Sequence, residues 1–219
     1  MMRVELANEP SAFDENVRKP GLRAIAELVG EPSGRTAGRK FKKVAATRDE
    51  IPAEHFPDYW RRALDDLLSS YHRLCAYLCL YIPRGTGAPS VDHMLAKSTR
   101  WDSVYEWGNY RLASSLMNSR KGAAADVLDP FELEDDWFAL ELVEFQVIPR
   151  GGLPDETLTA VRDTIARLGL SEPPCCDARG EYAREHWAGH IDLDYLEWHA
   201  PFVARELRRQ GRLRDEVTR

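Results

Sequence analysis

The sequence lacks the features that would place the chain in a membrane or in a secretory pathway. No apolar run approaches the roughly 20 residues that a helix needs to cross a bilayer. The first residues, MMRVELANEPS, are too polar for a signal peptide. Internal repeats and low-complexity tracts are also absent. We therefore expect a cytoplasmic globular protein that has no membrane partner.

Cysteine is scarce, and its placement limits the redox and metal chemistry of the chain. Cys75, Cys79, Cys175 and Cys176 form two close pairs, and in a reducing compartment such pairs are free thiols or metal ligands rather than disulfides. Adjacent Cys175 and Cys176 would chelate one ion awkwardly. We interpret all four as buried thiols, and a structural Zn²⁺ bound by these cysteines is the less favoured alternative.

The charge of the chain is modest overall but segregated along the sequence. A formal net charge of −6 argues against a protein whose whole surface binds nucleic acid. The segment Arg35–Lys43 nevertheless has five basic residues and no acidic one, whereas Asp126–Glu144 has eight acidic residues and no basic one. A further basic cluster runs from Arg205 to Arg214. Each run predicts either an interaction face or an ordinary solvated surface.

Apolar periodicity predicts an α+β chain that is mostly helical. Helices are expected at Leu22–Gly30, from Pro57 to about Leu78, at Ser114–Gly122 and at Pro154–Leu170, with further helical segments near the C-terminus. Strands are expected at SVDH (90–93), YRLA (110–113) and Trp137–Ile148. We expect Trp187, Trp198 and Phe202 to lie in the core rather than to form a base-stacking platform.

The most informative segment runs from Ser90 to Pro130. Asp92 and His93 lie side by side at the end of a predicted strand, and fifteen residues separate them from Asn109 in WGNYRLAS. Asn118 follows in MNSRKG, at the start of a predicted helix. A loop of that length is often functional. The chain has only four asparagines, so the presence of two of them at these positions argues against chance.

These elements occur in the order that the HNH nuclease family shows. The chain resembles that family through D-H, the following K-S, W-x-N, the interval to Asn118, K-G and the later LDP. The resemblance implies a small ββα-metal core inside the mostly helical α+β chain. It divides the chain into a basic N-terminal arm with a short helix (1–56), a nuclease core with its preceding helix (57–150) and a helical C-terminal region packed on that core (151–219).

The resemblance also implies a role for each residue of the motif. Asp92 and Asn118 would hold one divalent ion through oxygen atoms, with Mg²⁺ preferred and Mn²⁺ as the alternative. His93 would be the general base that activates water, because a neutral imidazole accepts a proton at physiological pH. Asn109 would complete the catalytic set by fixing the loop that presents His93.

The expected activity is metal-dependent hydrolysis of phosphodiester bonds in DNA. Arg111, Arg120 and Lys121 are the candidate contacts to the phosphate backbone, although any one of them taken alone is better read as a surface charge. Stand-alone relatives of this appearance serve bacterial defence systems, so the resemblance implies an effector nuclease that works beside an ATPase or another regulatory subunit. The acidic run Asp126–Glu144 would be its docking face.

A second function is compatible with the same sequence. The chain could retain the ββα scaffold without efficient turnover and act as an interaction subunit of a larger complex. Many HNH relatives carry paired CxxC motifs for structural zinc, but here the first is stretched to CAYLC (75–79), and Ser114 and Met117 occupy the positions of the second. A zinc-braced version is therefore not expected.

Overall fold

The computed structural model describes residues 1–38, 40–134 and 136–214. Arg39 of the basic run, Asp135 of the acidic run and residues 215–219 of the predicted C-terminal region lie outside the described residues. Within the described ranges, no helix has the length and apolar character needed to cross a membrane.

The described chain consists of helices and two small antiparallel sheets, which confirms the α+β class. A short π-helical turn leads into the first helix. The helices are α1 (Lys19–Val29), α2 (Leu64–Ser70), α3 (Ser115–Lys121), α4 (Asp155–Leu168), α5 (Pro173–Ala188), α6 (Leu193–His199) and α7 (Pro201–Arg209). The strands are β1 (Pro89–His93), β2 (Tyr110–Ser114), β3 (Phe138–Leu140) and β4 (Val147–Pro149), paired β1 with β2 and β3 with β4.

The segment β1–β2–α3 forms one local unit, and its three predicted elements are confirmed. The two strands pair antiparallel, with Asp92 opposite Arg111. Helix α3 packs against both strands. It begins where the Ser114 hydroxyl accepts a hydrogen bond from the Met117 backbone N–H at 3.4 Å, a typical N-cap. It ends at Gly122, whose φ of 52° and ψ of −128° favour glycine over residues with a Cβ atom.

The long amphipathic helix expected from Pro57 to Leu78 is wrong in its second half. A 3₁₀ turn at Tyr59–Ala63 leads into α2, which ends at Ser70. His72 and Arg73 then adopt φ values of 50° and 63°, a conformation that a continuing α-helix does not contain. The chain folds back on itself through a bridge between Leu74 and Tyr81. In this segment the apolar residues have helical spacing but lie in a buried turn. Periodicity alone therefore could not distinguish a continuing helix from this turn.

The single strand expected at Trp137–Ile148 is instead a hairpin. Strands β3 and β4 pair with Phe138 opposite Pro149. The turn between them is closed by the Glu141 carboxylate, which accepts hydrogen bonds from the backbone N–H groups of Val143 and Glu144. The apolar run therefore forms two paired strands. The alternation of apolar and polar residues along the run gave no sign of the turn between them.

One continuous apolar core joins the local unit to the remaining helices. It contains residues from α1, the β1–β2 pair, the β3–β4 hairpin and α7. Phe202 lies in this core as expected. The same expectation is wrong for Trp187 and Trp198, which are 39% and 52% exposed. Trp187 uses its indole N–H at the surface, where it donates to the Arg212 carbonyl at 2.7 Å.

The basic arm is attached to α1 by a buried carboxylate. Glu27 is 5% exposed and accepts hydrogen bonds from the Arg35 guanidinium at 2.7 Å, the Ser33 hydroxyl at 2.6 Å and the Phe41 backbone N–H at 2.9 Å. Arg35 is thus the anchor of the basic run. The lysines that follow it remain exposed.

Candidate active-site cleft

A cleft of about 330 Å³ brings together three of the side chains singled out from the sequence. Asp92 and His93 reach it from the end of β1, and Asn118 reaches it from α3. The antiparallel pairing of β1 with β2 and the packing of α3 across both strands place these residues side by side, although 24 residues separate His93 from Asn118 in the sequence.

The environment of His93 determines its tautomer and its charge. The imidazole is 9% exposed, and Nε2 donates a hydrogen bond to the Val104 carbonyl at 3.0 Å. A carbonyl only accepts, so Nε2 carries the proton and Nδ1 retains a lone pair. Trp60 and Tyr110 pack edge-on against the ring, with centroids at 5.0 and 5.2 Å. Burial lowers the pKa of His93 to about 4, so the ring is neutral at pH 7.

Asp92 lies deeper than His93 and already has two polar partners. One carboxylate oxygen accepts a hydrogen bond from the Tyr77 hydroxyl at 2.5 Å, and the other lies 3.4 Å from the Lys121 ammonium. Burial raises the pKa of Asp92 to about 6, because the nearby positive charge of Lys121 and the Tyr77 hydrogen bond offset the loss of water only in part. The carboxylate therefore takes up a proton at a higher pH than an exposed aspartate does.

Asn118 is oriented by its amide nitrogen. Nδ2 donates to the Ser90 hydroxyl at 3.2 Å and to the Val91 carbonyl at 3.3 Å. Because the Val91 carbonyl only accepts, this arrangement turns the Asn118 amide oxygen away from β1. Asn118 lines the cleft, so its amide oxygen can serve there as an uncharged metal ligand.

Asn109 does not line the cleft but holds the loop that precedes it. Its Oδ1 accepts from the Leu95 backbone N–H at 2.7 Å, and its Nδ2 donates to the carbonyls of Leu95 and Ser103 at 3.1 and 2.9 Å. Ser103 directly precedes Val104, the residue whose carbonyl orients His93. The side chain therefore ties Leu95 to Ser103 across the loop.

The three cations expected to contact phosphate have internal partners and do not line the cleft. Arg111 is 3% exposed and pairs with Asp129 at 2.5 Å. Arg120 donates to the carbonyls of Leu168 and Gly169 at the end of α4, both at 3.0 Å. Lys121 is buried and donates to the His93 carbonyl at 2.7 Å. Lys121 therefore contacts the site residues, whereas Arg111 and Arg120 bind other parts of the fold.

Two of the other residues that line the cleft, Lys97 and Trp60, were not selected from the sequence as site residues. Lys97 is half-buried, and its ammonium lies 4.2 Å from the centroid of the Trp60 ring. The lysine belongs to the K-S element of the motif, so a signal for it existed. Trp60 belongs to a separate segment and reaches the cleft only through tertiary packing.

The residues present fit a weakly held divalent ion. Mg²⁺ is usually bound by one or two carboxylates together with water and substrate phosphate, and the cleft offers the Asp92 carboxylate and the Asn118 amide oxygen. Among the described residues, no group of three or more His, Cys, Asp and Glu side chains is arranged to hold a metal ion.

The four cysteines lie apart from this cleft, buried and free of disulfides. Cys75 accepts a hydrogen bond from the Ser114 backbone N–H at 3.5 Å, and Cys175 accepts one from Arg120 at the same distance. Cys75 and Cys175 therefore take part in hydrogen bonds within the fold. A structural Zn²⁺ stays outside our expectations for this chain.

Comparison with known proteins adds no assignment. No model of a protein family matches the chain, and no curated protein is similar to it at a significant level. Fold alone does not establish function, so the function of this chain is argued from its site.

Proposed function

We propose that the chain is a metal-dependent endonuclease that hydrolyses phosphodiester bonds of DNA. One observation carries the proposal: a neutral histidine with a defined tautomer lies in the same cleft as a carboxylate and an amide oxygen that suit a hard cation. His93 is the general base, Asp92 and Asn118 are the metal ligands, and Asn109 is the positioning residue.

The proposed role of His93 is proton acceptance at Nδ1. The attacking water loses a proton to Nδ1 as its oxygen bonds to phosphorus, and the bond from phosphorus to the leaving oxygen breaks. The imidazolium that forms is stabilised by the Nε2–H hydrogen bond to the Val104 carbonyl, which strengthens when the ring is charged. The edge-on packing of Trp60 and Tyr110 keeps the ring from rotating.

Asp92 and Asn118 would hold the divalent ion, Mg²⁺ or Mn²⁺. When bound, that ion supplies stabilisation of negative charge on the phosphate and on the leaving oxygen. Lys121 holds the Asp92 carboxylate in place through an ion pair at 3.4 Å. Because one carboxylate and one neutral amide are weak ligands as a set, we expect modest metal affinity that bound DNA phosphate improves.

Nicking of supercoiled plasmid tests the proposal directly. Wild type is incubated with Mg²⁺, with Mn²⁺ and with a chelator, and His93→Ala is compared with His190→Ala, which removes an exposed imidazole. Nicking that requires metal, is lost in His93→Ala and persists in His190→Ala supports the enzyme. Equal nicking by the wild type and by a well-folded His93→Ala would overturn the assignment of the base.

The second candidate is a scaffold protein without efficient turnover, and the structure contains an observation that favours it. Arg111, Arg120 and Lys121 are committed internally, which leaves the cleft with little positive charge for DNA. An ATPase or other regulatory subunit bound at the acidic run Asp126–Glu144 would then supply the function. If the wild-type protein does not nick plasmid, either alone or together with any co-purified subunit, the result favours this candidate.

A further inference from the structure

Lys97 is the one cationic side chain among the described residues that line the cleft. It follows His93 by four residues, in the loop that Asn109 holds in place. A phosphodiester entering the cleft carries a negative charge, and the cleft already contains the carboxylate of Asp92. An anion therefore needs a positive group at this site.

The positive charge of Lys97 is held in position without being neutralised. Among the described residues, no carboxylate oxygen lies within the 4.0 Å of its ammonium that an ion pair requires. The nearby Asp58 pairs instead with Arg61 at 2.9 Å. The Lys97 ammonium lies over the Trp60 ring at 4.2 Å, a contact that orients a cation while leaving its net charge intact.

Trp60 connects this cation to the proposed base. Its ring packs edge-on against His93, with centroids 5.0 Å apart. Trp60 is also stacked near Tyr105, at 6.1 Å between centroids, so the indole is fixed from a second side. The ammonium and the imidazole are thus placed by the same aromatic ring.

We propose that Lys97 binds the scissile phosphodiester and that Trp60 is the positioning residue that aims its ammonium into the cleft. This inference rests on the proposed function for the identity of the ligand. The alternative is that Lys97 only packs its aliphatic stem on Trp60. The substitution Lys97→Met distinguishes phosphate binding from stem packing, because methionine retains an apolar side chain but lacks the ammonium.

The experiment measures DNA binding without turnover, in a His93→Ala background and in the presence of chelator. The affinity of a labelled duplex is titrated at several salt concentrations for the parent, Lys97→Met, Lys97→Arg and Lys19→Met. Lys19 is an exposed lysine that pairs with Asp14 and Glu15, so its removal is a matched control for the loss of one charge. Thermal melting verifies that every variant is folded.

We expect Lys97→Met to weaken binding about tenfold, as loss of one charged hydrogen bond does, and to reduce the slope of log affinity against log salt by about 1. Lys97→Arg should restore both quantities, and Lys19→Met should change neither. Unchanged affinity and slope in Lys97→Met would overturn the inference, as would absence of DNA binding by the parent.

Nicking by otherwise wild-type protein separates this inference from the proposed function. If wild type is inert but binding still depends on the charge at position 97, the nuclease assignment fails and the phosphate site stands. If wild type nicks, and Lys97→Met binds and nicks equally well, the nuclease assignment stands and the role of Lys97 fails.

Discussion

Lys121 and Asp92 form a buried ion pair, with 3.4 Å between the ammonium and the carboxylate. Lys121 also donates to the His93 carbonyl at 2.7 Å. The last residue of α3 therefore holds the last two residues of β1, which contain the proposed metal ligand and the proposed base. This pair couples the stability of the local unit to the geometry of the cleft.

Removal of Lys121 should destabilise the protein strongly. In Lys121→Met the Asp92 carboxylate is left buried without its counter-charge, and breaking a buried pair costs about 3 kcal/mol or more. Urea unfolding at neutral pH measures the loss. Lys19→Met, which removes a surface lysine, should destabilise the protein much less. Equal losses of stability in the two variants would show that the buried pair contributes no more than a surface lysine does.

Asn109→Ala should reduce activity through the loop rather than through proton transfer. The substitution leaves the Leu95 N–H and the carbonyls of Leu95 and Ser103 without partners, so we expect a stability loss of about 1–3 kcal/mol. Amide hydrogen exchange at Leu95 should become faster, and kcat should fall while the shape of the pH–rate profile is retained.

The control for Asn109 is Asn16→Ala, because Asn16 is exposed. Neither its stability nor its hydrogen exchange near Leu95 should change. An altered pH profile in Asn109→Ala would instead indicate a direct role in proton transfer.

The pH dependence of nicking should be governed by Asp92 rather than by His93. An unperturbed histidine would lose activity below about pH 6.5, but burial places the pKa of His93 near 4 and that of Asp92 near 6. The His93 ring is therefore still neutral at the pH at which Asp92 takes up a proton. Activity should rise as pH climbs through about 6, because only the ionised carboxylate binds metal.

Metal concentration identifies which group titrates. Divalent metal competes with the proton for Asp92, so a higher Mg²⁺ concentration should move the acidic limb of the profile to lower pH. A limb that stays at one pH over a wide range of Mg²⁺ would assign it to His93 or to another group.

Glu27 should make the protein sensitive to acid. Burial alone would raise its pKa, but Arg35, Ser33 and the Phe41 N–H outweigh burial and lower the pKa to about 2. The stabilisation is therefore complete above the unfolded value near 4.5 and is lost as pH falls towards 2. Glu27→Gln should cost on the order of 2 kcal/mol at pH 7 and should flatten the pH dependence of unfolding between those values.

The matched control for Glu27 is Glu15→Gln, which alters an exposed carboxylate beside Lys19. Its unfolding should keep the acid dependence of the wild type. If Glu27→Gln also keeps it, Glu27 does not anchor the basic arm energetically.

Local sequence signals were sufficient where each element is specified by its own residues. The β1 and β2 strands, α3 with its Ser114 cap and Gly122 end, and α4 were all predictable, because capping, turn chemistry and short-range periodicity act within a few residues. The segment 71–82 was not predictable in this way. Its apolar residues fit a helix and a buried turn equally well, and the packing of neighbouring elements selects the turn.

The sequence by itself determined the α+β class, the order of the local elements and the candidates Asp92, His93, Asn109 and Asn118. Only the tertiary structure decided which charges remain available. Arg111, Arg120 and Lys121 face inward because buried carboxylates and helix-end carbonyls require their donors, whereas Lys97 stays at the cleft over Trp60. Burial is a property of the packed molecule, so the neutral state of His93 and the raised pKa of Asp92 could not be read from residue spacing.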